Sequence, residues 1–264
     1  MKLTVIKCGG ALDPVPVCAD LARLGTPCVL VHGGAPQIAR LAAEMGVAQR
    51  TLVSPSGIRS RHTDAAMLDV VTLAMTGRAK PLIVSALTAS GVRAIGLTGL
   101  DAGLLQARRK GPRRSVVDGR TVIVRDDHSG RVVEVADGVL RDLLDAGFTP
   151  VVSPPAAGDD GLPLNVDADR AAAAIAADLR ADRLVLLTAA PGVLSDASDE
   201  TSVLARCELT RDGPIPHAAS GGMHRKLIAA REALLGGVTE VIIADGRTAR
   251  PLTEMTGTPV EVTP

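Results

Sequence analysis

The sequence predicts an α/β fold with a mainly parallel sheet, and three observations carry that reading. Short, apolar, β-rich runs alternate along the chain with segments of helical period. Two of the runs end in paired glycines and pass directly into a helix, the arrangement that puts free N–H groups at a ligand. The 264 residues are 46% hydrophobic, enough to bury one large core or two modest lobes.

In chain order, Leu3 to Cys8 reads as a strand that stops at Gly9-Gly10. Lys7 stands at its carboxyl end, where it is either a point charge for a phosphate or a solvated charge on a turn. Val15 to Leu24 is a helix. Cys28 to Val31 is a second strand, closed by His32-Gly33-Gly34. Ala35 to Met45 is a helix with Ile38, Leu41, Ala42 and Met45 on one face. Pro and Gly mark residues 54–64 as a loop containing Arg59 and Arg61, and Thr63 or Asp64 caps a helix to about Thr76. A separate helix spans Lys80 to Ala89, and Val92 to Asp101 is a strand running into a Gly-rich turn. Arg108 to Arg114 is the densest charge run. Strands at Val116 to Arg125 and Arg131 to Val135 are expected to pair as a hairpin across Asp126 to Gly130. The basic run there is either a charge-guarded edge or a docking patch for an acidic partner.

Asp137 caps a helix to about Gly147, and Thr149 to Ser153 is a strand. The polar, Pro/Gly-rich stretch Pro154 to Pro163 reads as the bridge between lobes 1–163 and 164–264. Next, Asn165, Asp167 and Asp169 alternate, so an extended segment would project all three to one side before an Ala-rich helix to about Leu179. Arg183 to Thr188 is a strand followed by a Pro191-Gly192 turn. Ser220-Gly221-Gly222-Met223-His224-Arg225-Lys226 opens a helix to about Leu235. Basic residues at a helix start oppose its dipole, a conflict that a bound anion would remove. Glu240 to Ala244 and Pro259 to Val262 are strands, with Ala249 to Met255 helical between them.

Composition excludes several classes. Net charge is zero, so an electrostatic partner needs a local patch. With no Trp or Tyr and one Phe, base stacking is nearly unavailable, and no nucleic-acid partner is expected. Cys8, Cys18, Cys28 and Cys207 form no CxxC pair and no zinc spacing, which suits buried thiols in a reducing cytosol. No segment reads as long and apolar enough for a membrane, so a soluble cytoplasmic protein is expected.

Three elements, taken in order, resemble the amino acid kinase family, and within it the acetylglutamate kinases: Lys7-Cys-Gly9-Gly10 with His32-Gly33-Gly34, Asn165-Val-Asp-Ala-Asp169, and Gly221-Gly-Met-His-Arg-Lys226. Within that branch, Ser54-Pro-Ser-Gly57 through Asp64 and the basic run are most similar to kinases of aminoadipate or glutamate held on a small acidic amino-group carrier protein of LysW type. The resemblance implies a three-layer α/β/α sandwich, usually a homodimer, with acyl substrate in the amino-terminal lobe and ATP in the carboxyl-terminal lobe. It implies that Lys7 and Lys226 stabilise the transferring phosphoryl group and that Asp169 holds both lysines. Gly9, Gly10, Gly33 and Gly34 would supply N–H groups. Arg61, with Asn165 beside it, would hold the substrate's second carboxylate. Thr188, Pro191, Gly192 and Gly222 would lie along the nucleotide, and Arg59 with Arg108 to Arg114 would face the carrier. This chain departs from the pattern at Ala35, where a third glycine is expected, at Asp167 for Asn, and at Ala189 for Asp.

The implied chemistry fits the residues. A carboxylate nucleophile, with a reference pKa of about 4.3, is already ionised and needs no general base. Alignment and charge neutralisation remain, with Mg²⁺ carried by ATP rather than by dedicated ligands. Two alternatives stay open: a kinase of free N-acetylglutamate, and a non-catalytic nucleotide- or oxyanion-binding protein on the same scaffold.

Overall fold

The alternation of a strand buried on both faces is plain in β1 (Thr4–Cys8), where Val5 and Ile6 are both fully buried but join different clusters on opposite sides of the sheet. The computed structural model describes residues 2–54, 59–117, 120–216 and 221–263. After β1 come α1 (Pro14–Leu24), β2 (Cys28–His32) and α2 (Ala35–Glu44). A hairpin of β3 (Thr51–Val53) and β4 (Arg59–Arg61) leads to α3 (Ala65–Ala74) and α4 (Lys80–Ala89). Then follow β5 (Ala94–Gly99), β6 (Leu105–Arg109), β7 (Arg113–Val117), β8 (Arg120–Val124), β9 (Gly130–Val135), α5 (Gly138–Asp145), β10 (Thr149–Gly158) and β11 (Pro163–Leu164). The chain ends with α6 (Ala168–Asp178), β12 (Arg183–Thr188), β13 (Cys207–Thr210), α7 (Gly221–Leu235), β14 (Glu240–Asp245) and β15 (Gly257–Thr263).

Among the described residues one large sheet runs in the order β13-β15-β14-β12-β1-β2-β10-β6-β9, with β5 and β11 also paired to β10. It is mainly parallel; β15 runs antiparallel to β14 and parallel to β13, and β9 and β11 run antiparallel to β6 and β10. Helices α1 and α4 cover Ile6, Leu30 and Val185 on one face, and α6 and α7 cover Val5, Val29 and Leu184 on the other. This is the expected three-layer sandwich. Alanines let α6 and α7 approach closely: Ala171, Ala172, Ala173, Ala229, Ala230 and Ala233 are all buried. All four cysteines are free and buried, and burial pushes Cys8 up to about 11 and Cys18 to about 12.

Several local expectations are corrected. The two helices between 65 and 89 are one helix of 25 residues, joined through a π segment at Met75–Ala79. Pro81 has no N–H to give the preceding turn, and the wider turn absorbs it, with Lys80 N–H reaching back to Met75 O. Length and composition alone would let this joined helix cross a membrane. Burial of Met67, Val70, Val71, Met75, Ile83 and Leu87 seats it in the core instead. The expected hairpin across Asp126 to Gly130 does not form: β8 pairs with β7, and β9 pairs with β6. Pro154 to Pro163 is not a coil bridge, because β10 continues to Gly158. Pro154 and Pro155 fall where pairing with β5 has ended at Ser153 and pairing with β6 has not begun, so they cost no ladder bond there. Residues 249–255 form turns rather than a helix, pinned by the fully buried Asp20, which accepts from Leu252 N and Thr253 N at 2.7 and 2.9 Å. Asp137 precedes α5 without capping it; its carboxylate pairs with Arg141. Pro55 to Ile58 and Ser220 of the expected motifs lie outside the described residues.

Candidate active site

Lys7 sits on the face of β1 that Val5 shares, so it points at the start of α6. Asp167 caps that helix, accepting from Asp169 N at 2.9 Å and Arg170 N at 3.2 Å. The cap, not an extended strand, is what turns Asp169 inward. Asp169 Oδ1 lies 2.8 Å from Lys7 Nζ, and Lys226 Nζ from α7 donates to both Asp169 oxygens at 3.2 Å. Lys7, Asp169 and Lys226 are 5%, 5% and 6% exposed. Two ammonium groups therefore share one carboxylate out of water, leaving one positive charge unanswered by the three.

The electrostatics follow. Burial opposes ionisation of Asp169, but Lys7 and Lys226 more than offset it, so its carboxyl stays below the usual range. Burial would lower Lys7, and the short contact with Asp169, backed by Asp167, instead holds it above its ordinary value. Lys226 is lowered, because burial outweighs its longer contact to Asp169 and Lys7 repels it. A buried surplus cation of this kind would be stabilised by an anion beside it.

The two glycine turns meet beside it. A Cβ built on Gly10 would lie 2.6 Å from Gly34 N and 2.8 Å from Gly33 C, so only glycine allows the two backbones to touch. Gly33 N donates to Cys8 O at 3.1 Å, and a Cβ on Gly33 would lie 4.0 Å from Lys7 Nζ. Gly9 packs against Leu187 O on β12. Ala35, in the place of a third glycine, meets Gly10 through its backbone N and is exposed.

A cleft of about 1160 Å³ is lined by Gly33, Gly34, Arg61 and Asn165, the last two brought to it by different parts of the chain. Arg61 donates to Gln49 Oε1 at 3.0 Å, and no carboxylate among the described residues pairs with it. Asn165 donates from Nδ2 to Thr63 Oγ1 at 3.0 Å. Arg50, Arg59, Lys110, Arg114 and Arg131 also line the cleft, against two carboxylates among the described residues, Asp167 and Glu232. On a chain of zero net charge this is the local basic patch that composition requires.

Several other expected site residues lie outside this cleft. Thr188, Pro191 and Gly192 follow the carboxyl end of β12, beside Lys7's strand, and do not line the cleft. Gly192 is buried against β15, where a Cβ would lie 2.7 Å from Thr258 Oγ1. Gly222 is exposed, with nothing within 4 Å of a built Cβ. The dipole conflict at α7 is met within the protein: Arg225 Nε lies 3.3 Å from Asp167 Oδ2, and Lys226 pairs with Asp169. Arg113, expected to face a partner, is instead paired with the buried Asp127. Sequence reasoning passed over Gln49, Thr63 and Asp127. Only Asp127 carried a signal, an Asp-Asp pair in a segment read as a turn.

The family profile described as "Amino acid kinase family" matches residues 2–245. The chain is 38% identical over 257 residues to "[LysW]-aminoadipate kinase" of Deinococcus radiodurans, covering 96% of this chain and 88% of the relative. It is 41% identical over 251 residues to "Acetylglutamate kinase" of Methanopyrus kandleri, covering 92% and 95%. Among solved structures, N-acetylglutamate synthase from Neisseria gonorrhoeae superposes with a TM-score of 0.76 at 25% identity, covering 100% of this chain and 60% of that one.

Proposed function

The chain belongs to the amino acid kinase family, and we propose that it transfers the γ-phosphoryl group of ATP to the side-chain carboxylate of aminoadipate or glutamate held on a small acidic amino-group carrier protein. The observation that carries this reading is the buried Lys7–Asp169–Lys226 trio with its surplus positive charge. A carboxylate oxygen forms the new bond to phosphorus, the bond to the β–γ bridging oxygen breaks, and the products are an acyl phosphate and ADP. The charge on the migrating group grows outward onto its oxygens, where two ammonium groups and the Gly9, Gly10, Gly33 and Gly34 turns stand ready. Asp169 contacts no substrate in this scheme; it keeps the two lysines from separating.

Arg61 holds the acceptor's second carboxylate, since it is a guanidinium in a cleft without an ionic partner among the described residues. Asn165 stands with it. One carboxylate needs one guanidinium, so the remaining basic wall, with Arg59 and Arg114 in the cleft and Arg108 and Arg109 in a second hollow that shares Lys110 and Arg131 with it, suits a large acidic carrier. Thr188, Pro191, Gly192 and Gly222 would border the nucleotide, at the sheet edge next to Lys7. Residues 1–163 then serve the acceptor and 164–264 serve ATP, in a cytoplasmic homodimer. Magnesium enters with ATP; among the described residues no three carboxylate, His or Cys groups cluster as a metal cage, and both Asp169 oxygens are occupied by lysines.

Transfer to free N-acetylglutamate is the second reading, favoured by the 41% identity to the Methanopyrus kandleri protein. Trapping the acyl phosphate with hydroxylamine separates the two. Carrier-bound aminoadipate, carrier-bound glutamate and free N-acetylglutamate are each supplied with ATP, and hydroxamate is expected with a carrier-bound acceptor. Hydroxamate from the free acid alone selects the second reading. ATP binding with no hydroxamate from any acceptor would reject both.

A further inference from the structure

The segment Asp126 to Gly130 forms no hairpin of its own, yet hydrogen bonds tie it to Thr63 and Asn165 beside the cleft. Asp127 is 4% exposed. Its Oδ1 accepts from Thr63 N at 2.9 Å and from Ser129 Oγ at 3.1 Å, and its Oδ2 pairs with Arg113. Its main-chain O accepts from Arg109 Nε at 3.0 Å. Next to it, His128 N donates to Thr63 O at 2.7 Å, and His128 O accepts from Asn165 N at 2.9 Å. Thr63 Oγ1 in turn receives the Asn165 side chain. One buried carboxylate thus fixes Thr63, two residues after Arg61, beside the segment that carries Asn165 just past β11.

We infer that Asp127 is a positioning residue for acceptor recognition: it sets Asn165 and Arg61 at their mutual distance through Thr63, and its other oxygen ties the basic β6–β7 segment to the same clamp. The inference deepens the proposed function and rests on it for the identity of the acceptor. Physically, Arg61 and Asn165 are 104 residues apart and reach the cleft from different elements. Without the Asp127 bridge, Thr63 N and Arg113 would both lack their buried acceptor, and the β3–β4 hairpin would drift relative to Asn165. The Lys7–Asp169–Lys226 trio does not touch Asp127, so the chemical step is left intact.

The test uses the full chain and the acceptor that wild type phosphorylates. Asp127→Ala is expected to raise the KM for acceptor about 3–10-fold, the scale of one lost hydrogen bond, with kcat and the KM for ATP little changed. Asp127→Asn retains an acceptor oxygen for Thr63 N and should fall between Ala and wild type; it also serves if the alanine variant folds poorly. In an Asn165→Ala background, Asp127→Ala should cost clearly less than it does alone, because the part of its effect that passes through Asn165 is already lost. Unchanged acceptor KM, equal rises in both KM values, or costs that multiply in the double variant would each overturn the inference. The Asn165 side-chain amide resonance, assigned by its loss in Asn165→Ala, gives a readout without turnover: it should shift in Asp127→Ala and stay put if Asp127 is a bystander. Should wild type phosphorylate no acceptor, the functional reading fails while this resonance still decides the role of Asp127.

Discussion

At the scale of single residues, the unequal stoichiometry of the buried trio is the feature with the most consequences. Lys7→Ala or Lys226→Ala leaves a neutral pair with Asp169 and removes the surplus charge that attracts an anion. Each should cost about 10²–10³ in kcat, read by hydroxamate formation, with the melting transition retained. Asp169→Asn has the opposite profile. It leaves two buried ammonium groups without a counter-charge, and should lower stability by about 3–5 kcal/mol, measured by denaturant unfolding. His32 supplies a pH dependence. It is fully buried, its Nδ1 lies 3.1 Å from Gly33 O, and burial, helped by the Lys80 and Lys7 charges, pushes its pKa down to about 4 from 6.5. Between those values the unfolded chain holds a proton that the folded one does not, so this contribution is complete above pH 6.5 and is lost on acidification. The slope is about 1.4 kcal/mol per pH unit. Unfolding curves at pH 7 and pH 5 should show the loss, and His32→Gln should flatten the difference between them.

At the scale of elements, the strand–glycine–glycine–helix units were legible because their signals are local: β-rich runs, paired glycines and helical periodicity stand within a few residues of each other. The Asp64 cap was readable for the same reason, and its carboxylate does accept from Met67 N at 2.9 Å. What failed depended on distant partners. Arg131 to Val135 was a recognisable strand, but nothing local says that it pairs with β6 rather than with its nearest neighbour. Asp118-Gly119 was a two-residue hairpin signal lying inside what read as one strand. The turns at 249–255 are held by Asp20, more than 200 residues earlier. In the site, Lys7, Asp169 and Lys226 came from motifs, whereas Thr63 and Asp127 are ordinary residues made specific by tertiary contact. The meeting of the two glycine turns yields a sharp prediction. In Gly10→Ala the added methyl would strike backbone atoms of Gly33 and Gly34, which have no rotamer to change. The turns must part, at about 1–3 kcal/mol for overpacking, and the N–H groups leave their shared orientation. A lower melting temperature together with a large fall in kcat is expected; wild-type behaviour in both assays would refute the close approach.

At the scale of the whole molecule, one continuous sheet carries both halves of the site. Strand β1 supplies Lys7 from the amino-terminal half and lies directly beside β12 of the carboxyl-terminal half, while α6 brings Asp169 across to it. No loose linker separates the halves at Pro154, so alignment of the two lysines is built into the core and not assembled by domain closure at that point. Charge is distributed with the same economy. The chain is neutral overall, yet basic side chains crowd the cleft and its mouth, and Arg113 is consumed internally by Asp127. Arg109 is held by Asp127 O at 3.0 Å, which leaves Arg108 and Arg114 as the exposed guanidiniums of the run; Arg108 has only a 3.9 Å contact with Asp159 and a side chain 75% exposed. Long-range steering of an acidic carrier by such charges is screened over about 8–10 Å at ordinary ionic strength. A carrier-bound acceptor should thus lose about tenfold or more in kcat/KM as salt is raised. Arg108→Glu with Arg114→Glu should reproduce that loss at low salt. Free N-acetylglutamate, a small anion that meets Arg61 only inside the cleft, should show a much shallower dependence. Equal salt slopes for the two acceptors, or full carrier activity in the doubly reversed variant, would place the docking surface elsewhere.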